Sequence, residues 1–215
     1  MEGYREYSLS NRVFQKLRDD ILNGVYKEND ELREITLGKE LGVSRTPVRE
    51  ALRQLELEGL VKIIPNKGTY VTGISSKDVQ DIYKIRSMLE GLCARWATEH
   101  IDQKGIDKLE EIIMLSEFHS KKESSDQMVV LDGKFHEVLY QSCNSRMLEH
   151  VLSDFLHYVQ TTRDQSVRKE NRVEKSIKEH KAILEAIKKK DADLAEKLAN
   201  EHMIHVMENL KIQEK

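Results

Sequence analysis

The chain has 215 residues, with 35 Lys and Arg against 38 Asp and Glu and a net charge of −3. That length allows one large or two small domains, and 34% charged against 39% hydrophobic residues is the balance of a soluble, helix-rich protein. The charge excludes a globally basic nucleic-acid binder. No apolar run approaches the ~18 residues of a membrane span, and the opening MEGYREYS lacks the apolar core of a signal peptide. Cys93 and Cys143 stand at no motif spacing and read as reduced core thiols, so the expected location is cytoplasmic.

Val13, Leu17 and Ile21 recur every four residues and predict a helix over about 10–23, ended by Asn23-Gly24. A second helix is expected over roughly 34–41, with Ile35, Leu37 and Leu41 as its apolar residues. Leu41-Gly42-Val43-Ser44-Arg45-Thr46-Pro47-Val48-Arg49 then reads as the turn and second helix of a helix-turn-helix. Gly42 supplies the positive φ of a helix end. Ser44 is the expected cap, and Pro47 falls in the first turn, where a missing N–H costs little. Arg45, Thr46 and Arg49 cluster at the leading end, while Val48, Leu52 and Leu55 occupy another face. Such a helix can enter a major groove. Residues 1–75 hold 12 basic and 12 acidic side chains, so attraction to DNA has to come from local placement.

After Gly59 come two β-rich runs, Leu60-Val61-Lys62-Ile63-Ile64 and Thr69-Tyr70-Val71-Thr72, around the turn Pro65-Asn66-Lys67-Gly68. This predicts a hairpin. Directly behind a recognition helix it reads as a wing, with a tip that reaches backbone or minor groove. A hairpin that merely covers the domain core is the other reading.

Both prolines and seven of the ten glycines precede residue 75, so a mixed N-terminal domain gives way to an all-helical one. The boundary is placed near Ile74, where Ser75-Ser76-Lys77-Asp78 has the form of a capping box and the linker is very short. About six helices are expected, near 77–99, 103–119, 125–143, 146–163, 171–189 and 191–212. Asn144-Ser145 and Lys190-Asp191 act as separators, and the polar segment Lys121–Gln127 as a solvated loop. The fold class is therefore mainly α: a winged helix-turn-helix domain over 1–74 and an all-α antiparallel helical bundle over 75–215.

Asp132 and His136 are four apart and share a face with Val129, Leu139 and Cys143. His180 sits between Ile177 and Ile183, and His202 lies on the apolar stripe of the last helix, with His205 as a rival from that helix. One carboxylate and three imidazoles converging inside a bundle suit a divalent transition metal such as zinc, nickel or manganese. The same spacing also suits a polar core.

These residues resemble the GntR family of bacterial transcription regulators, in the FadR subfamily with an FCD effector domain, over nearly the whole chain. The specific part is Glu34 and Leu41 through Leu52, then Leu55-Glu56, Glu58-Gly59-Leu60-Val61 and Pro65 through Gly68. The resemblance implies DNA contacts from Arg45, Thr46 and Arg49, with Ser44 near phosphate and Asn66, Lys67 and Gly68 at the wing tip. Some members add an arginine where this chain has Ile35, and nearby Arg33 is the candidate to stand in for it. Asp132-x-x-x-His136…Asn144, then Glu179-His180 and His202, look like the metal-ligand pattern of the family's metal-binding members, with Asp132, His136, His180 and His202 as the implied ligands. Arg86, in the Arg86…Leu89-Glu90 signature, is implied either to hold an anionic effector or to form a helix-surface salt bridge with Glu90. Six helices resemble the shorter, VanR-like variant. The function so implied is that of a homodimeric regulator, more often a repressor, that binds a palindromic operator and responds to a small organic acid. The alternative from another class is a helical-bundle metalloenzyme acting on small organic acids. No general-base spacing such as His-Glu-x-x-His supports that alternative.

Overall fold

The computed structural model describes residues 8–122, 124–160 and 172–210. It divides into two compact units, 1–75 and 76–215.

The first unit opens with α1 (Leu9–Leu22), whose cap Ser8 accepts a hydrogen bond from the Asn11 N–H at 3.2 Å. Its four-residue repeat buries Val13, Leu17 and Ile21 as expected. The chain then forms α2 (Glu34–Leu41) and α3 (Arg45–Leu57), joined across Gly42 at φ 66°. That angle is open to glycine without steric penalty, which allows a three-residue turn. Val48, Ala51, Leu52 and Leu55 on α3 are buried. Ser44 occupies the cap position of α3, but its side chain makes no capping bond, so its expected capping role is corrected.

Strands β1 (Val61–Ile64) and β2 (Gly68–Val71) pair antiparallel, with Val61 opposite Val71 and Ile64 opposite Gly68. The hairpin is as predicted, with Asn66 in the left-handed region at φ 59°. Ahead of α2, a bridge from Glu31 to Tyr70 ties the incoming chain to β2.

The second unit comprises α4 (Ser76–His100), α5 (Gln103–Lys121), α6 (Ser125–Ser142), α7 (Arg146–Tyr158), α8 (Arg172–Lys188) and α9 (Ala192–Leu210). Six helices in this order, among the described residues, match the expected bundle. The expected stretches at 161–163, 171 and 211–212 lie outside the described residues. Lys121–Gln127 is largely not a loop, because Lys121 closes α5 and Ser125 already opens α6. The separators hold: Asn144 and Lys190 take positive φ of 53° and 57°. The Ser145 side chain then accepts from Leu148 N–H at 3.3 Å, and Asp191 from Leu194 N–H at 3.0 Å.

The core gathers Cys93, Ala94 and Ala97 of α4, Leu109 of α5, Phe135 and Leu139 of α6, Leu152 of α7, Ile183 and Ile187 of α8, and Ala195 and Ala199 of α9. Cys93 and Cys143 are both buried and unbridged. Where α4 faces α9, a Cβ at Gly91 would stand 2.1 Å from Asn200 Oδ1, so any side chain there has to displace that amide.

Candidate nucleic-acid interface and metal centre

In the first unit, Ser44, Arg45, Thr46 and Arg49 are all exposed at the leading end of α3, the face left over once the apolar residues turn inward. Both arginines converge on one carboxylate. Glu34, the first residue of α2, accepts from Arg45 Nε at 3.2 Å and Nη2 at 3.0 Å, and from Arg49 Nε and Nη2 at 2.9 Å each. The Arg49 bond, then Arg45, hold the Glu34 carboxyl at about 2, against the opposing cost of its partial burial. Asn66 and Lys67 are exposed at the hairpin tip, with Gly68 closing it at the start of β2. Arg33 stands apart from the α3 cluster, with its guanidinium on Glu31 at 2.7 Å. Ile35 is 57% exposed.

In the second unit, four helices place polar side chains in one buried space. His136, His180 and His202 are 4%, 5% and 2% exposed, although each neighbours apolar core. Their ring centroids are 5.4 Å apart for His136–His180 and His136–His202, and 4.7 Å for His180–His202. One nitrogen from each lies within 4.8 Å of the others. Around an ion with ~2.0–2.1 Å metal–nitrogen bonds, ligand atoms sit about 3–4 Å apart, so small adjustments suffice. Asp132, also buried, has Oδ1 3.9 Å from His180 Nε2. The adjoining cavity is lined by Tyr83, Arg86, Asp132, His136, His180 and His202.

The imidazoles are held from behind. Phe135 stacks on His180 with centroids 3.9 Å apart and planes within 8°. Glu179 Oε2 lies 2.7 Å from His202 Nδ1, so Nδ1–H donates and the Nε2 lone pair is left free. The same carboxylate accepts from Arg172 Nη1 at 2.8 Å and reaches His205 Nδ1 at 2.9 Å. Burial opposes its charge, but the bond from His202, followed by Arg172, holds the Glu179 carboxyl at about 2. On α4, Glu90 receives Arg86 Nη2 at 2.7 Å and the Tyr140 hydroxyl, and its Oε2 is 3.4 Å from His136 Nδ1. A carboxylate behind a metal-binding histidine fixes its tautomer and ring orientation, as the bond between His202 and Glu179 does here.

His180 Nε2 is buried and has no hydrogen-bond partner, which costs about 1–3 kcal/mol for such a group. Burial first, then His202, His136 and Arg172, push the His180 pKa well below its usual value, so the ring is neutral and free to donate its lone pair. An unpartnered neutral imidazole beside two others and a carboxylate is a donor set that fits a divalent transition ion.

Among the expected site residues, the structure unites the three histidines, and Asp132 stands outside that triad with Oδ1 3.9 Å from His180 Nε2. His205 is half exposed, turned onto Glu179 and outside the triad. The salt bridge of Arg86 with Glu90 is not on the helix surface, as one sequence reading had it: the two side chains are 2% and 3% exposed, Arg86 lines the histidine site, and Glu90 lies behind His136. Glu34 and Glu179 stood in the family patterns without the roles seen here, and Arg172 was missed. Glu179 reaches across from α8 to His202 of α9.

Known proteins agree with both units. Residues 9–71 match the model of the bacterial regulatory proteins of the gntR family, and residues 81–205 match the FCD domain. The chain is 34% identical over 206 residues to the HTH-type transcriptional regulator YdhC of Bacillus subtilis, covering 93% of this chain and 90% of that protein. It is 27% identical to the HTH-type transcriptional repressor RspR of Escherichia coli, covering 94% and 89% respectively. Among solved structures, Escherichia coli McbR/YncC shares the fold with a TM-score of 0.74 at 23% identity, over 95% of this chain and 98% of that one. The relatives matched along the chain's length are transcriptional regulators, which removes the metalloenzyme alternative. The chain belongs to the GntR family, as a DNA-binding transcriptional regulator with an N-terminal helix-turn-helix and a C-terminal FCD domain.

Proposed function

We propose that this regulator acts as a homodimer on a palindromic operator, most simply as a repressor, and that its DNA affinity is set by a metal and a small organic acid bound in the FCD domain. The winged helix within 1–74 reads DNA through Arg45, Thr46 and Arg49. Ser44, Arg33 and the wing-tip residues Asn66, Lys67 and Gly68 contact the backbone or minor groove. A two-fold dimer presents two such helices to two half-sites.

Within 75–215, Asp132, His136, His180 and His202 hold a divalent transition ion: zinc, nickel or manganese. The carrying observation is the buried, unpartnered Nε2 of His180 among three imidazoles and a carboxylate. When bound, such an ion supplies Lewis-acid attraction for a carboxylate. Arg86 is placed to face the anion from the α4 side, with its own charge already balanced by Glu90. An organic acid at that ion favours one arrangement of the helical domain over another, and this differential affinity is what a ligand needs in order to shift DNA binding.

Elemental analysis of purified protein, paired with operator binding before and after chelation, tests this reading. About one transition ion per chain, lost in His180→Ala, is the expected result. Absence of stoichiometric metal together with failure to take any up reduces the triad to a polar core.

A further inference from the structure

We propose that Glu34 is a specificity-determining positioning residue: it holds the inner edges of Arg45 and Arg49, leaves their outer edges for bases and disfavours phosphate. This inference rests on the reading that α3 contacts DNA.

Both guanidiniums turn the same edge to Glu34. Arg45 uses Nε and Nη2 on Oε2, while Arg49 places Nε on Oε1 and Nη2 on Oε2, all at 2.9–3.2 Å. A guanidinium carries five N–H donors in a rigid plane. With the Nε/Nη2 edge taken, the Nη1/Nη2 edge remains, and it can make a bidentate pair with guanine O6 and N7. Free arginine swings through many rotamers and settles on the nearest phosphate. Here one carboxylate fixes two arginines, eleven and fifteen residues away in sequence, before any DNA arrives.

Charge works in the same direction. Glu34 is held ionised between the two cations, and its side chain is 25% exposed against 60% and 51% for Arg45 and Arg49. A phosphate competing for the inner edges meets that negative charge, whereas a guanine edge at the outer donors does not displace it. The three groups carry a net charge of +1 rather than +2, which lowers sequence-independent attraction. Arg33 on Glu31 repeats the pairing outside α3, but with one cation to one carboxylate and no shared anchor.

The test begins by selecting an operator from random duplexes with the wild-type protein. Affinities for that duplex and for a scrambled one are then measured across a range of salt for wild type, Glu34→Gln and Glu34→Ala. In Glu34→Ala the ratio of selected to scrambled affinity is expected to fall about tenfold. Binding to scrambled DNA should tighten, and the salt slope should steepen by about one to two as the freed arginines reach phosphate. Glu34→Gln, which keeps shape and one acceptor, is expected to fall between. Thermal unfolding of each variant reports whether the fold is intact, and Glu34→Gln carries the test if Glu34→Ala fails to fold.

An unchanged ratio and salt slope, or equal weakening of both duplexes, overturns the inference and leaves Glu34 a helix-end salt bridge. Selection of no sequence by the wild-type protein overturns the DNA reading itself, so the two failures are distinguishable.

Discussion

The two units use the same chemistry at opposite levels of burial. In the winged helix, Glu34 gathers two arginines at an exposed surface. In the bundle, Glu90 and Glu179 gather arginines and imidazoles where solvent hardly reaches: Arg86 is 2% exposed and His202 is 2% exposed. An exposed carboxylate–guanidinium pair contributes little to stability and is exchanged easily. A buried one repays its desolvation only while all partners stay in place, so it is stiff and intolerant of loss. The difference separates two tasks: surface charges that can be redirected toward a large anionic partner, and core charges that keep donor atoms still.

That contrast can be broken most severely at Glu90. Glu90→Ala leaves the Arg86 guanidinium buried without its carboxylate, an expected loss of about 3–5 kcal/mol in chemical denaturation. Lys77→Ala, which removes the exposed pair with Asp81, is the matched control and should cost less than about 0.5 kcal/mol. Comparable losses for the two would erase the distinction. Next in size is Glu179→Ala, which frees His202 Nδ1. Metal affinity measured by competition with a chelating dye is expected to weaken about 10–100-fold. Because burial keeps His180 and His202 from taking protons at their usual pH, bound metal should persist as pH falls through 6.5 and be released only well below it.

In the exposed unit the effects are smaller and fall on DNA. Arg49→Ala should weaken selected-operator binding by ~1–3 kcal/mol in a titration at fixed salt while barely moving the unfolding midpoint. The smallest effect is expected at Lys67 of the wing tip. Lys67→Ala should weaken all duplexes about equally and flatten the salt slope by about one. A sequence-dependent loss there would instead mean that the wing reads bases.

Much of this architecture was legible because it follows local rules. Gly42 and Pro47 mark the turn and the first turn of α3. The i, i+4 spacing put Asp132 and His136 on one face, and the apolar neighbours of His180 and His202 pointed both inward. What escaped depends on contact between elements distant in sequence. Glu34 reaches arginines on another helix, and Glu179 crosses from α8 to α9. Helical periodicity gives the direction in which a side chain leaves its own helix, but not what waits there. Arg86 illustrates this: its i, i+4 partner was readable, while its burial depended on α6 bringing Tyr140 against the pair. Ser44 fails differently, since a cap position does not oblige the hydroxyl to serve it.

The contact at Gly91 gives the FCD domain a tuning position that carries no charge and lies outside the histidine triad. Gly91 follows Glu90, and Asn200, whose amide fills the space over it, stands two residues before His202. A methyl group there has to push that amide aside or part α4 from α9. The space between the carboxylate behind one imidazole and the helix that carries another is thus kept by the absence of a side chain. Substitution at this one position offers a purely steric way to disturb the histidine site while leaving every donor atom in the sequence.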